Sequence, residues 1–411
     1  MRTLEENKQL YAEIILSYGL NIQKWQKLII KSPIDAYDFV KILTEKAYEM
    51  WCKEVMYRWE HEELDCIRYN KAPEDSFDWY PQWIADWFTK EVREWAATLS
   101  LYMSDTSVFE NVNLSNLKKH AKAATLAFKE YKDLITSSGT NWCVVSIPIK
   151  WWANTVYWNT DSEENMWKLW DQILSLVRLD KEDPIKEWET HLNQLKVRAQ
   201  YMNDMNFKKL HYKSPKTDLC ITLPDGHIWQ SAEEVSKRGV HFHPNLPTEE
   251  VFSMPHKYWV NGTVFSTFPL EYQWKLIKNF SLTFKDWEVI SYTAEEWEEI
   301  LKWILETDET SKRLWEVALV PVNSPIYQSW LLYYNTLFDE NASCHLALWT
   351  SYSTTLKWAD DMDAEQRDKV WMNESSIHVD FMVWDETLCI TWETQDWEMV
   401  EFFVNWKWNI D

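Results

Sequence analysis

The segment Phe284–Ile290 reads FKDWEVI. Two apolar runs meet there at Lys-Asp-x-Glu, the pattern of a tight β-hairpin, and the residue after the Asp of such a turn must tolerate positive φ, which is why Gly usually stands there. In this chain it is Trp287. The composition extends the point: at ~7% Gly a protein of this length would hold roughly 29 glycines. The 411 residues contain 5 Gly and 30 Trp. The deficit and the excess read as one phenomenon, in which Trp occupies slots that the fold reserves for Gly.

In other respects the chain reads as an enzyme of ordinary make-up, 46% hydrophobic and 26% charged, with a length that suggests two or three domains and a large core. A net charge of -23 argues against nucleic acid or an anionic membrane as partner, since phosphate binding depends on clustered Lys and Arg. Acidic clefts suit cations and amines. The six cysteines (Cys52, Cys66, Cys143, Cys220, Cys344, Cys389) form no C-x-x-C pair, which fits reduced thiols and neither a zinc ribbon nor a disulfide framework. No window reaches ~18 apolar residues and the N-terminus lacks an apolar leader. The expectation is a cytoplasmic protein with nothing cleaved.

Periodicity predicts an α/β N-terminal domain over residues 1–205. KLII (Lys27–Ile30) reads as a buried strand, Ile34–Met50 has helical spacing and KEVMYRW returns to strand, a β-α-β unit. Trp142–Ile149 is a further strand, followed by helical patterns over Glu163–Val177 and Pro184–Met205. No glycine-rich phosphate loop opens either helix. Over residues 206–411 the pattern changes to short apolar runs between turn residues, predicting a strand-rich α+β domain.

Most of the chemistry-bearing residues lie in that second half. In SIHVDFMV, strand alternation puts His378 and Asp380 on one face, half of a divalent metal site or simply a common strand pattern. Glu316 sits in the otherwise apolar strand of RLWEVALVPV; a buried carboxylate must be paired or bound to a cation, whereas a strand-end glutamate faces water. DENASCHLALW offers Glu340 in a polar turn and His345 at the start of an apolar strand, readable also as a solvated acid and a core histidine. TEEVF supplies Glu249 and Glu250, a pair that could instead cap a helix. VHFHP repeats the metal-like spacing at His241 and His243, without an evident carboxylate beside it except TEE. Cys344 next to His345 invites a thiol nucleophile, but adjacent strand residues point to opposite faces.

The order TEEVF, EVALVPVNSPI, FDENASCHLAL, IHVDFMV resembles the two-metal aminopeptidases of the aminopeptidase T, aminopeptidase S and aminopeptidase II type, and the resemblance extends over nearly the whole chain, including IKSPIDAYDFVKILTEKAYEM and FKKLHYKSPKTDL. It implies metal ligands at Glu250, Glu316, Glu340, His345, Tyr352, His378 and Asp380; of these, Glu316 is read here as the bridging carboxylate. It implies a homodimer that removes the N-terminal residue from peptides, using two divalent cations drawn from zinc, cobalt, magnesium or manganese. Two cations ~3.5 to 4 Å apart can activate a water and polarise the scissile carbonyl. A metal-binding but inactive relative and a non-catalytic Trp-rich binding protein are the alternatives.

The departures from the family pattern are systematic. Trp stands where relatives are expected to have Gly at positions 25, 51, 259, 287, 297, 315, 330, 349, 384 and 397, while Trp79, Trp83, Trp142 and Trp229 sit where an aromatic is natural. Left-handed backbone costs a non-glycine residue roughly 1 to 2 kcal/mol. Ten such sites amount to ~10 to 20 kcal/mol, against a typical stability of about 5 to 15 kcal/mol. The expectation is that a codon its source reads as Gly has been rendered as Trp.

Overall fold

The computed structural model describes all residues except 1, 104–111, 159–161, 273–274, 322, 349–351, 360–361, 363, 371, 373–378, 385–386, 397, 405–406 and 409–411. The chain is mixed α/β and divides into two compact units, Met1–Thr190 with Glu233–Pro247, and His191–Ala232 with Thr248–Asp411.

The first unit is built on a five-stranded parallel sheet in the order Glu54–Glu60, Lys27–Pro33, Ala97–Leu101, Trp142–Val145, Asn245–Leu246. Leu28, Ile29 and Ile30 are buried in succession, as parallel strands covered on both faces require. The helix Tyr37–Glu49 buries Val40, Leu43 and Ala47, and Gln82–Arg93 buries Ile84, Phe88 and Val92, both at helical spacing. Ile29 packs against Ile84 and Phe88. The helices Ser162–Leu176 and Pro184–Met205 form over the segments whose periodicity predicts them.

The second unit holds an eight-stranded antiparallel sheet running from Glu288–Thr293 through Ser281–Lys285, Val260–Phe265, Asp218–Thr222, Lys209–Lys213, Cys389–Glu393 and Met399–Val404 to Lys407–Trp408. A smaller four-stranded sheet orders Val251–Ser253, Leu314–Leu319, His345–Leu348 and Val379–Met382, all antiparallel. One apolar core joins the two sheets through Leu210, Tyr212, Ile221, Val317, Leu346 and Phe381. Between the paired strands Ser281–Lys285 and Glu288–Thr293 the chain turns in two residues, Asp286 at φ 54° and Trp287 at φ 107°. Two positive values are what a type I′ hairpin needs. Among the described residues no helix is long and apolar enough to cross a membrane.

Candidate metal centre

The register of the four-stranded sheet decides which side chains meet. Glu316 lies opposite Ala347, and Ala347 opposite Asp380; Ala318 lies opposite both Phe252 and His345. Opposed residues project to the same face, as do residues two apart along a strand. Glu316, His345 and Asp380 therefore share one face, and Glu250, two residues before Phe252, continues the alternation onto it. Ala318 and Ala347 keep that face open between the acids. Val317, Leu319, Leu346, Leu348, Val379 and Phe381 point the other way into the apolar core.

One ligand atom from each of Glu250, Glu316 and His345 lies within 4.8 Å of the others. Among the described residues this is the one group of three or more His, Cys, Asp or Glu side chains close enough to share an ion. His345 Nε2 stands 3.1 Å from Glu250 Oε2 and 3.9 Å from Glu316 Oε1. Its Nδ1 lies 3.1 Å from the Ser343 carbonyl, which can only accept, so Nδ1 carries a proton and Nε2 is the nitrogen turned to the carboxylates. Glu250, Glu316 and His345 are 8, 5 and 1% exposed, which rules out a water-facing glutamate at 316.

This neighbourhood holds more negative charge than it can neutralise. Burial pushes the Glu316 carboxyl well above its ordinary range, and the charges of Glu250, Asp380 and Glu340 push it further. Glu340 is raised by burial, then by Asp380, Glu250 and Asp339. Burial pulls the His345 imidazole down, but the proximity and charge of Glu250, with the charge of Asp380, raise it on balance. Glu250 Oε2, although close to His345, has no well-directed hydrogen-bond partner. Buried carboxylates in this state take up protons or a cation, and an oxygen-rich set with an imidazole fits a divalent metal ion.

Glu340 is buried on the turn Glu340–Ala342, not solvated as a polar loop acid would be. Its neighbour Asn341 is fully buried, and sequence reasoning did not single it out: in DENAS it looks like one more turn residue. Asn341 Nδ2 donates to Glu340 Oε1 at 3.3 Å and to the Leu337 carbonyl at 3.0 Å, while Oδ1 accepts from the Glu249 amide at 2.8 Å. One amide thus ties Glu340 to the residue preceding Glu250. The TEE pair caps no helix; it leads directly into Val251–Ser253, and the Glu249 carboxylate stands 3.7 Å from His191 Nε2. The Tyr352 ring packs 5.2 Å from Trp315, next to Glu316 in sequence, and 6.1 Å from Phe252, two residues after Glu250. His378 lies outside the described residues.

The two other candidates separate from the cluster. Burial pushes the Cys344 thiol up to about 12, and it donates to the Val320 carbonyl, so it is a core residue and no nucleophile. His241 is exposed and pairs with Glu233, a carboxylate that the spacing of VHFHP did not reveal, while His243 Nδ1 meets the Tyr18 carbonyl at 2.8 Å.

Residues 4–408 match the family described as thermophilic metalloprotease (M29). The chain is similar to aminopeptidase 2 of Geobacillus stearothermophilus, 38% identical over 408 residues and 99% of each chain. It is also similar to aminopeptidase AmpS of Bacillus subtilis (strain 168), 36% identical over 99% of this chain and 100% of that one. Among solved structures, the wild-type AmpT from Thermus thermophilus superposes with a TM-score of 0.92 at 34% identity, over 99% of this chain and 100% of that one.

Proposed function

The chain belongs to the M29 family of metalloproteases and is a metal-dependent aminopeptidase, and from that premise we propose that Glu250, Glu316, Glu340, His345, Tyr352, His378 and Asp380 hold two divalent cations. The observation that carries this reading is the buried approach of Glu250, Glu316 and His345 within 4.8 Å. Glu316 is assigned the bridging role because its strand lies between the Glu250 strand and the His345 strand. Cations held by these residues would lower the pKa of a water and polarise the scissile carbonyl.

The protein's own residues do the rest. The sheet face excludes bulk water, so each charge on it acts at short range with little screening. Asn341 and the Ser343 carbonyl hold Glu340 and His345 in place. A cation, or a carboxylate that the cations leave free, would receive the terminal amine of a peptide, which would confine cleavage to that end. The oxygen-rich donor set accommodates zinc, cobalt, magnesium or manganese, and reconstitution with each in turn identifies the most active. None of the six cysteines forms a disulfide, in keeping with a reducing cytoplasm. The resemblance carries a homodimer too, tested by light scattering at twice the chain mass.

An amino-acid p-nitroanilide and its N-acetylated analogue test the reading together. Cleavage of the free amine substrate alone is expected. Equal cleavage of both overturns the exopeptidase assignment, and no cleavage with two cations bound identifies an inactive relative.

A further inference from the structure

Fifteen described non-glycine residues adopt positive φ, and eight of them are tryptophans: Trp25, Trp51, Trp95, Trp158, Trp287, Trp297, Trp330 and Trp358. In proportion to its 30 residues in 411, Trp would fill about one such position, and bulky residues are outliers in this region. Asn21, Asn206, Asn279 and Asp286, of the types that tolerate it, account for four more.

The local geometry is the kind that glycine makes. After the helix Tyr37–Glu49, Cys52 N donates to Ala47 O at 2.9 Å and Trp51 N to Tyr48 O at 3.0 Å. After Gln82–Arg93, Ala96 N donates to Glu91 O at 2.8 Å and Trp95 N to Val92 O at 2.9 Å. This nested pair of bonds is the Schellman motif, and Trp51 and Trp95 occupy the left-handed position that usually falls to Gly. Trp158 ends Lys150–Tyr157 at φ 50°, ψ 27°. Trp287 takes the second place of the I′ turn after Asp286, where Asp-Gly is the preferred pair.

The side chains bury little in return: their contacts are surface ones, such as Lys24 over Trp51 at 4.7 Å, Lys275 over Trp297 at 4.6 Å and Tyr258 against Trp287 at 5.2 Å. Seven of the eight are 36 to 77% exposed, and Trp95 is half-buried. Trp152, Trp188, Trp229, Trp315 and Trp392 behave oppositely: they are at most 2% exposed and none has positive φ. These two groups of tryptophan stand apart, one packed in the core on ordinary backbone and one on glycine-like turns.

We infer that the polypeptide made by the source organism carries glycine at these eight positions, their codon being one that its ribosomes read as glycine and that another genetic code reads as tryptophan. A reassigned stop codon has that property. The structure redraws the set expected from the sequence. Trp25, Trp51, Trp287, Trp297 and Trp330 stay in it, Trp95, Trp158 and Trp358 enter it, and Trp349 and Trp397 lie outside the described residues. Trp259, Trp315 and Trp384 adopt no left-handed φ, so backbone geometry gives no reason to reassign them.

The gene and the natural protein decide it. The eight codons should be one shared triplet, while those of Trp152, Trp188, Trp229 and Trp392 should be the ordinary tryptophan codon. Peptides of the natural protein that span Phe284–Ile290, and those that span Trp51 and Trp95, should be lighter by the Trp-to-Gly difference. The ordinary tryptophan codon at these positions, or tryptophan mass in those peptides, overturns the inference. Recombinant proteins add an independent arm: replacing all eight with Gly should raise Tm by on the order of 10 °C over the chain as written. An unchanged or lower Tm would refute the conformational argument on which the inference stands.

Discussion

On the helix Gln82–Arg93, beside the parallel sheet of the first unit, a buried acid finds a basic partner, and in the four-stranded sheet of the second unit it does not. Glu91 is 6% exposed and its carboxylate lies 2.5 Å from Lys27 Nζ at the start of the Lys27–Pro33 strand. Glu316 is equally buried, but the groups acting on it are three more carboxylates, with the His345 imidazole 3.9 Å away. The first arrangement is closed by the chain itself. The second, on the reading proposed above, is completed by a cation, and without one its crowding and burial favour protonated carboxyls. A buried acid marks function when the fold leaves it among like charges.

The sharpest way to break this contrast is to remove the imidazole. His345→Ala removes one of the two proposed imidazole ligands and should weaken metal binding by at least about 100-fold, read by metal content after dialysis. Glu316→Gln should lower bound metal from two equivalents towards one; unchanged content would count against a bridging role. Lys27→Ala, by contrast, should leave metal content untouched while lowering Tm, because Glu91 then keeps only the exposed Lys90 at 3.9 Å as a basic partner.

Asn341→Ala comes next, at roughly 10- to 100-fold in metal affinity, the range for a residue that orients a ligand. Its amide holds Glu340 and the Glu249 backbone together. If His345→Ala loses metal and Asn341→Ala does not, the centre stands and the clamp is wrong.

The pH dependence of the metal-free protein follows from the same charges. Glu316 and Glu340 are raised above 4.5, so between 4.5 and their raised values the folded chain binds protons that the unfolded chain has lost. Stability is then fully present below about 4.5 and declines as pH rises through that window. His345, raised above 6.5, acts in the same sense: its contribution is present below 6.5 and lost as pH climbs through the raised value. A cation replaces these protons. The Tm gained on adding metal should therefore widen from about pH 5 to about pH 8. A gain that shrinks over that range would show that the carboxylates are already ionised without metal.

Legibility differed residue by residue. Glu316 could be read because a lone acid in an apolar strand has no bland explanation once the strand is buried, and Asp380 because a period of two puts it on the face opposite Val379 and Phe381. The two long helices Ser162–Leu176 and Pro184–Met205 were legible from apolar spacing sustained over several turns. Glu340 and Asn341 were not, since a turn of three residues has no period and its polar letters look solvated. The strand Asn245–Leu246, which returns to the parallel sheet beside Trp142–Val145, is too short to carry a pattern at all. Trp287 was legible in reverse: the turn was evident from Asp286, and the wrong residue stood in it.

The smallest expected effect tests whether spacing or burial makes the centre. His241 and His243 have the same i, i+2 relation as His378 and Asp380, and Glu233 even brings a carboxylate to His241. Yet His241 is largely in water, where a pairing with Glu233 is worth no more than about 1 kcal/mol and is screened by salt. Water also satisfies both groups without a cation, so nothing there reproduces the charge excess around Glu316. His241→Ala should leave metal content and peptidase activity at wild-type values and shift Tm by no more than a degree or two. A loss of one metal equivalent in that variant would mean that an exposed His-carboxylate pair can hold a cation here, and the contrast drawn from burial would fail.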